Sequence, residues 1–165
     1  MGKRPLTILG INPGTRYLGI AFFQGPELKD WRIKVVEGRR FKEKLKKTKN
    51  ILSDFITRYE PNILAIKKLH PSRSSANLNR MVSRLKEFSK RKGLRVYEFS
   101  VKDMEKSLSS EKRIKNKREL EEAIVSLYPF LINELTKEKK NKNPYFVRMF
   151  EAVALSLVCF NRLDH

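Results

Sequence analysis

Two apolar runs separated by a very tight turn, between Leu6 and Phe23, leave this chain few folding options. Leu6 to Ile11 is apolar and β-branched enough to be a buried strand. Pro13-Gly14 is a turn signal, because proline presets φ and glycine accepts positive φ. Tyr17 to Phe23 is a second apolar run, with Gly19 where a side chain would crowd a neighbour. Asn12 falls where the first strand opens into the turn. A functional side chain on a rigid scaffold often sits at such a place.

The rest of the chain builds on that hairpin. Gly25-Pro26 makes a second turn. Trp31 to Val36 then alternates, with Trp31, Ile33 and Val35 on one face and Arg32, Lys34 and Val36 on the other. Three strands with short connections form an antiparallel meander. From Phe41 to about Tyr59 the apolar residues recur at helical spacing, with Lys42, Lys44, Lys46, Lys47 and Lys49 between them. Pro61 stops this helix, and Ile63-Leu64-Ala65-Ile66 is a short buried strand. Strand, helix, strand in that order predicts a right-handed crossover to a parallel neighbour.

His70 to Ser75 is a polar loop whose serines can cap the next helix, marked by Leu78, Met81, Val82, Leu85 and Phe88 and closed by Gly93. Arg95 to Phe99 is a fifth strand, and Val101 to Leu108 a short helix. Ser109 to Lys117 is polar and basic. Leu120, Ile124 and Leu127 mark a further helix, which Pro129 interrupts. Phe130, Leu131 and Leu135 continue as a shorter one, and Lys137 to Asn143 reads as a charged loop. The last helix begins near Pro144, with a broad apolar face from Phe146 to Val158. No linker divides the chain, so residues 1–165 are expected to form one α/β domain.

Charge is the other constraint. The chain carries 37 Lys and Arg against 18 Asp and Glu, a net charge of +19. Such a surplus repels itself and calls for an anionic partner, of which nucleic acid is the commonest. A thermophile-like charged surface is the alternative, and the single glutamine, Gln24, suits it, but such surfaces balance their signs and this one does not. The lone Cys159 sits in an apolar helical run and reads as a core residue; there is no disulfide framework and no cysteine-rich metal site. No apolar run reaches membrane-spanning length and no signal peptide is visible, so no membrane partner and a cytoplasmic location are expected.

Three segments resemble one family. Gly10-Ile11-Asn12-Pro13-Gly14-Thr15 resembles the Gly-Ile-Asp-Pro-Gly-Ser/Thr opening of RuvC-type Holliday-junction resolvases, within the RNase H-like superfamily. Pro61 to Lys67 resembles the family's Pro-Asp-x-x-Ala-Ile-Glu strand, and Arg148 to Leu155 its last helix, Asp-x-x-Asp-Ala-x-Ala-Ile. The resemblance implies an RNase H-like five-stranded mixed sheet, three strands antiparallel and two parallel, with helices on both faces.

It also implies a site. In the family four carboxylates hold two Mg²⁺ ions, which activate water and stabilise the leaving oxygen. Here the matching positions are Asn12, Lys67, Arg148 and Glu151, so one acid remains and the local charge is about +1. Mg²⁺ seeks anionic oxygens, which Lys67 and Arg148 do not offer. The middle helix departs as well: Met81-Val82-Ser83-Arg84-Leu85 matches the family's Gly-Gln-Ala-Arg-Gly only at the arginine.

The expected function is therefore non-catalytic binding of nucleic acid, DNA above all, with no catalytic residue, no metal and no cofactor. Contacts are expected to be to phosphates, through Lys67, Lys68, Arg73, Arg80 and Arg84 near the cleft and Lys112, Arg113, Lys115, Lys117 and Arg118 in the basic loop. One alternative is a divergent Mg²⁺-dependent endonuclease using Glu151 with a further acid such as Glu98 or Asp103. Another is a dimeric scaffold, and the resemblance admits a homodimer in either case. Residue by residue, Lys67, Arg148 and Glu151 also read as a buried salt-bridge network, Asn12 as a turn residue or a ligand contact, and His70 as a solvated loop residue or a general base.

Overall fold

The structure is a computed structural model and describes residues 5–70, 72, 74–110, 113–140 and 145–163. Five strands form one sheet: β1 (Thr7–Pro13), β2 (Tyr17–Gln24), β3 (Glu27–Val35), β4 (Ile63–Lys67) and β5 (Arg95–Phe99). Their order across the sheet is β3-β2-β1-β4-β5. The β1–β2 and β2–β3 pairs are antiparallel, and β1–β4 and β4–β5 parallel. The β3 strand begins at Glu27, four residues before the alternation that marks it in the sequence. A register shift opposite Phe22 and Phe23 resets its pattern, so that Leu28 and Asp30 are buried while Val35 is exposed.

Among the described residues six α-helices cover the two faces: α1 (Phe41–Tyr59), α2 (Ala76–Arg91), α3 (Val101–Leu108), α4 (Lys117–Leu127), α5 (Ile132–Lys140) and α6 (Tyr145–Leu163). Ser75 caps α2 as its sequence suggests, accepting from the Leu78 N–H at 3.1 Å. Gly93, past the end of α2, has φ of +91°, the left-handed conformation that favours glycine there. Two local expectations are corrected. Lys137–Lys140 is not loop but the last turn of α5. Leu127 is exposed, and Glu121 takes a place in the buried stripe of α4 beside Leu120 and Ile124. Pro129 ends α4 through a short 3₁₀ turn, Pro129–Leu131, before α5.

Two apolar layers sandwich the sheet. Ile8, Ala21, Phe23, Ile63 and Ala65 point toward α3 to α6. Leu9, Ile11, Leu18, Ile20, Leu64 and Ile66 point toward α1 and α2. Strands covered on both faces need apolar residues at every position, and β1, β2 and β4 have them.

Candidate functional site

Direct contact with the sheet positions the N-terminal half of α6. A Cβ on Gly19 of β2 would lie 2.0 Å from the Arg148 carbonyl oxygen, and a Cβ on Gly10 of β1 would lie 2.5 Å from that of Ala152. Only glycine lets the helix backbone approach two neighbouring strands this closely. The crowding expected at Gly19 is thus supplied by the turn of α6 that carries Arg148 and Glu151. On β1, Asn12 shares the face of Ile8 and Gly10; on β4, Lys67 shares the face of Ile63 and Ala65. All four side chains therefore belong to the same side of the sheet, at one end of its two central strands.

They meet there. Lys67 Nζ lies 2.6 Å from Glu151 Oε2, with the Glu151 side chain 5% exposed and that of Lys67 15%. The charges meet without the alignment of a hydrogen bond. The Asn12 side-chain amide is fully buried and its Nδ2 donates to the Arg148 carbonyl at 3.4 Å. Its Oδ1 has no hydrogen-bond partner among the described residues. Arg148 differs from the network expected in the sequence. Its guanidinium lies against the Gly14 turn, so that a Cβ on Gly14 would come within 3.0 Å of it, and it forms no salt bridge among the described residues. Among the described residues Lys67 thus neutralises Glu151 alone, and Arg148 has no acidic partner at the turn.

A further acid lies close by and was not singled out in the sequence. Glu121 on α4 is buried, and its carboxyl is pushed up to about 7. Burial is the largest cause, and the neighbouring carboxylates of Glu138 and Glu151 act in the same direction, while Arg118 and Lys117 oppose it. Glu138 receives the Phe146 N–H at 3.1 Å, so it satisfies an N–H of the first turn of α6. Burial raises its pKa as well, against the backbone N–H groups of Phe146 and Val147. The signal for Glu121 was present in the sequence: it stands three residues before Ile124 and seven before Tyr128, on the apolar side of its helix.

The remaining expected residues are more scattered. Lys68 is exposed just beyond β4, its N–H donating to the Phe99 carbonyl at 2.8 Å. Arg80 and Arg84 are exposed on α2, which packs on the opposite face of the sheet from Glu151. Arg80 lies over the Phe41 ring, 4.4 Å from its centroid. Arg113 and Lys115 are exposed and share a groove with Lys102 and Lys106 of α3. Lys117 and Arg118 stand in the first turn of α4, beside Glu121. Arg73 and Lys112 lie outside the described residues, as does Pro144.

Neither acid offered as a partner for Glu151 is placed to serve. Glu98 pairs in register with Ile66, on the α1–α2 face, and bonds Lys86 of α2. Asp103 closes a capping box with Ser100 and lies 3.5 Å from Arg162, three turns along α6 from Glu151. His70 is exposed, and its Nδ1 accepts from the Ser72 N–H at 3.2 Å. The thiol of buried Cys159 is pushed up to about 12 by burial, as befits a core residue. Among the described residues no group of three His, Cys, Asp or Glu is placed to hold a metal ion, and no helix is long and apolar enough to cross a membrane.

No protein-family model matches the sequence. No curated protein matches it. Solved structures do match. RuvC of T. thermophilus in complex with a Holliday-junction substrate superposes with a TM-score of 0.71 at 15% identity, over 95% of this chain and 94% of that one. The yeast mitochondrial Holliday-junction resolvase Ydc2 gives 0.63 at 11% identity, over 94% and 78%. The fowlpox virus resolvase, bound to Holliday-junction DNA, gives 0.56 at 14% identity, over 97% and 100%. The sheet order, the crossover through α1 and the seating of α6 on β1 and β2 agree with that likeness, and the chain has the RNase H-like fold of the RuvC-type Holliday-junction resolvases.

Proposed function

We propose that this chain, residues 1–165 acting as one unit, binds nucleic acid through its phosphates and does not hydrolyse it, with duplex or branched DNA as the partner. The observation that carries this reading is the Lys67–Glu151 ion pair at 2.6 Å, with the Arg148 guanidinium held at the Gly14 turn and in no salt bridge among the described residues. The resemblance puts a carboxylate at each of these positions and at Asn12. Here the donors are one amide oxygen and one carboxylate already held by an ammonium. Mg²⁺ needs several hard, anionic or neutral oxygens, and a cation at 2.6 Å from the one carboxylate repels it. Lys67 supplies the positive charge that a metal would otherwise bring to Glu151, but it can neither activate a water as a metal does nor leave an open coordination position.

The same arrangement suits a phosphate. Arg148 offers a planar, charged fork at the turn after β1, and such groups recognise phosphate oxygens in pairs. Lys68, Arg80, Arg84, Arg113, Lys115, Lys117 and Arg118 add exposed positive charge elsewhere on the surface. Support for DNA over other polyanions comes from the likeness to two resolvases solved with Holliday-junction DNA.

An endonuclease reading could pair Glu151 with Glu121, whose carboxyl is raised in part by Glu151. A carboxyl that stays largely protonated up to about 7 is a poor metal ligand at neutral pH. The test is an electrophoretic shift panel of four-way junction, duplex, single-stranded DNA and RNA across a salt series. Binding through about five phosphates should weaken roughly a thousandfold between ~50 and ~200 mM salt. Failure of the protein to retain any nucleic acid at low salt would turn the reading toward a scaffold.

A further inference from the structure

A second concentration of positive charge lies on the other side of the sheet. Between α1 and α2 a cleft of about 380 Å³ opens, lined by Lys42, Lys46 and Lys49 of α1 and by Lys92 just past α2. Its apolar floor is Leu45 and Phe88. The Lys49 and Lys92 ammonium groups come from different helices yet converge on the same ring, 5.8 and 5.5 Å from the Phe88 centroid. No carboxylate lines the cleft, and none of its four lysines forms a salt bridge among the described residues. Four like charges held around one concavity repel each other, and a bound anion would relieve that repulsion. The depth is modest and the walls are flexible lysine stems, which suits a strand of phosphates better than an enclosed small ligand.

Resting on the reading of the chain as a nucleic-acid-binding protein, we infer that the α1–α2 cleft is a second phosphate-backbone site, separated by the sheet from Arg148 and the Lys67–Glu151 pair. Two sites on opposite faces of one sheet allow one molecule to hold two nucleic-acid segments at once. Phe88 fixes where the ammonium groups stand, by cation–π attraction, and so spaces the charges without neutralising them.

The experiment is a bridging assay. One duplex is immobilised, a second carries a fluorophore, and the protein is added at low salt; retention of fluorescence reports a molecule holding both. The variants are Lys46→Glu/Lys49→Glu/Lys92→Glu and its neutral counterpart Lys46→Gln/Lys49→Gln/Lys92→Gln, each checked for an unchanged far-ultraviolet spectrum and melting profile. The wild type should bridge. The charge-reversed variant should lose bridging by at least about tenfold, the neutral one by less, while both still bind a single duplex. Bridging that survives the reversal overturns the inference. So does loss of single-duplex binding in step with bridging, because the lysines would then act only through bulk charge. A wild type that retains no duplex at all overturns the nucleic-acid reading itself, and this inference with it.

Discussion

Glu151 and Glu121 are buried to nearly the same extent, 4% and 5% exposed, on helices that pack against each other. Their fates differ because their neighbours differ. Glu151 faces Lys67 across 2.6 Å. Glu121 faces two other carboxylates, Glu138 and Glu151, and only the first-turn cations Arg118 and Lys117 answer it. Burial imposes the same demand on both, which is that a charge out of water be paired or discharged. One is paired by a lysine in a position where the resemblance leads one to expect an acid. The other is discharged by holding its proton up to about pH 7. Burial is the largest cause of the Glu121 shift, and the sign of the neighbouring charge then separates the two: a lysine for Glu151, two carboxylates for Glu121.

Removing the neighbour is the sharpest way to break the comparison. Lys67→Met leaves Glu151 buried and unpaired, and stability should fall by about 3–5 kcal/mol, read from the midpoint of a urea titration at neutral pH. The double variant Lys67→Met/Glu151→Met should recover most of that loss, since a buried pair exchanged for apolar groups of similar size is close to neutral. Equal destabilisation in the single and double variants would mean that Lys67 matters for packing and not for charge.

Glu121 gives a pH signature. Its folded-state pKa of about 7 lies above the ordinary value of 4.5, so the folded chain binds the proton more tightly than the unfolded one. Its neutral form contributes stability that is fully present below about 4.5 and is lost as pH rises through about 7. Glu121→Gln should remove this dependence and stabilise the protein at pH 8 by about 3 kcal/mol, with little effect at pH 4.5. A variant whose stability follows the wild type in parallel across this range would show that Glu121 is not held neutral.

Arg148 should be the mildest of the three for stability, since it forms no salt bridge among the described residues. Arg148→Ala should cost below about 1 kcal/mol by the same urea titration. Its effect should appear instead in binding, as a weaker shift of duplex DNA and a salt slope lower by about one phosphate contact.

The strands and the crossover could be read from the sequence because they rest on local rules, whereas the four site positions came from the resemblance of three segments to one family. Apolar runs two-sidedly buried, Pro13-Gly14, the glycine at Gly19 and the Ser75 cap each leave a mark that needs no tertiary context. Glu121 escaped because a glutamate in a helix reads as solvated by default. Only the fold shows that its side of α4 faces α6, and that Leu127 does not. The pairing of Lys67 with Glu151, with Arg148 in no salt bridge among the described residues, likewise needed coordinates. Two cations and one acid at matching positions permit either pair, and it is the direct seating of the Arg148 backbone on Gly19, with its guanidinium drawn to Gly14, that leaves the acid to Lys67. Glu98 was misjudged for a simpler reason: an even-odd step along β5 puts it beside Ile66, on the wrong face of the sheet.

In the proposed function Lys67 occupies electrostatically the place a metal would need, so that DNA is held and not cut. The direct measurement follows a labelled four-way junction in one reaction with excess protein at low salt and Mg²⁺ or Mn²⁺ added, reading retention and strand scission together. The account predicts a retained, intact junction with both metals. Metal-dependent scission in stoichiometric yield, abolished by Glu151→Gln, would contradict it.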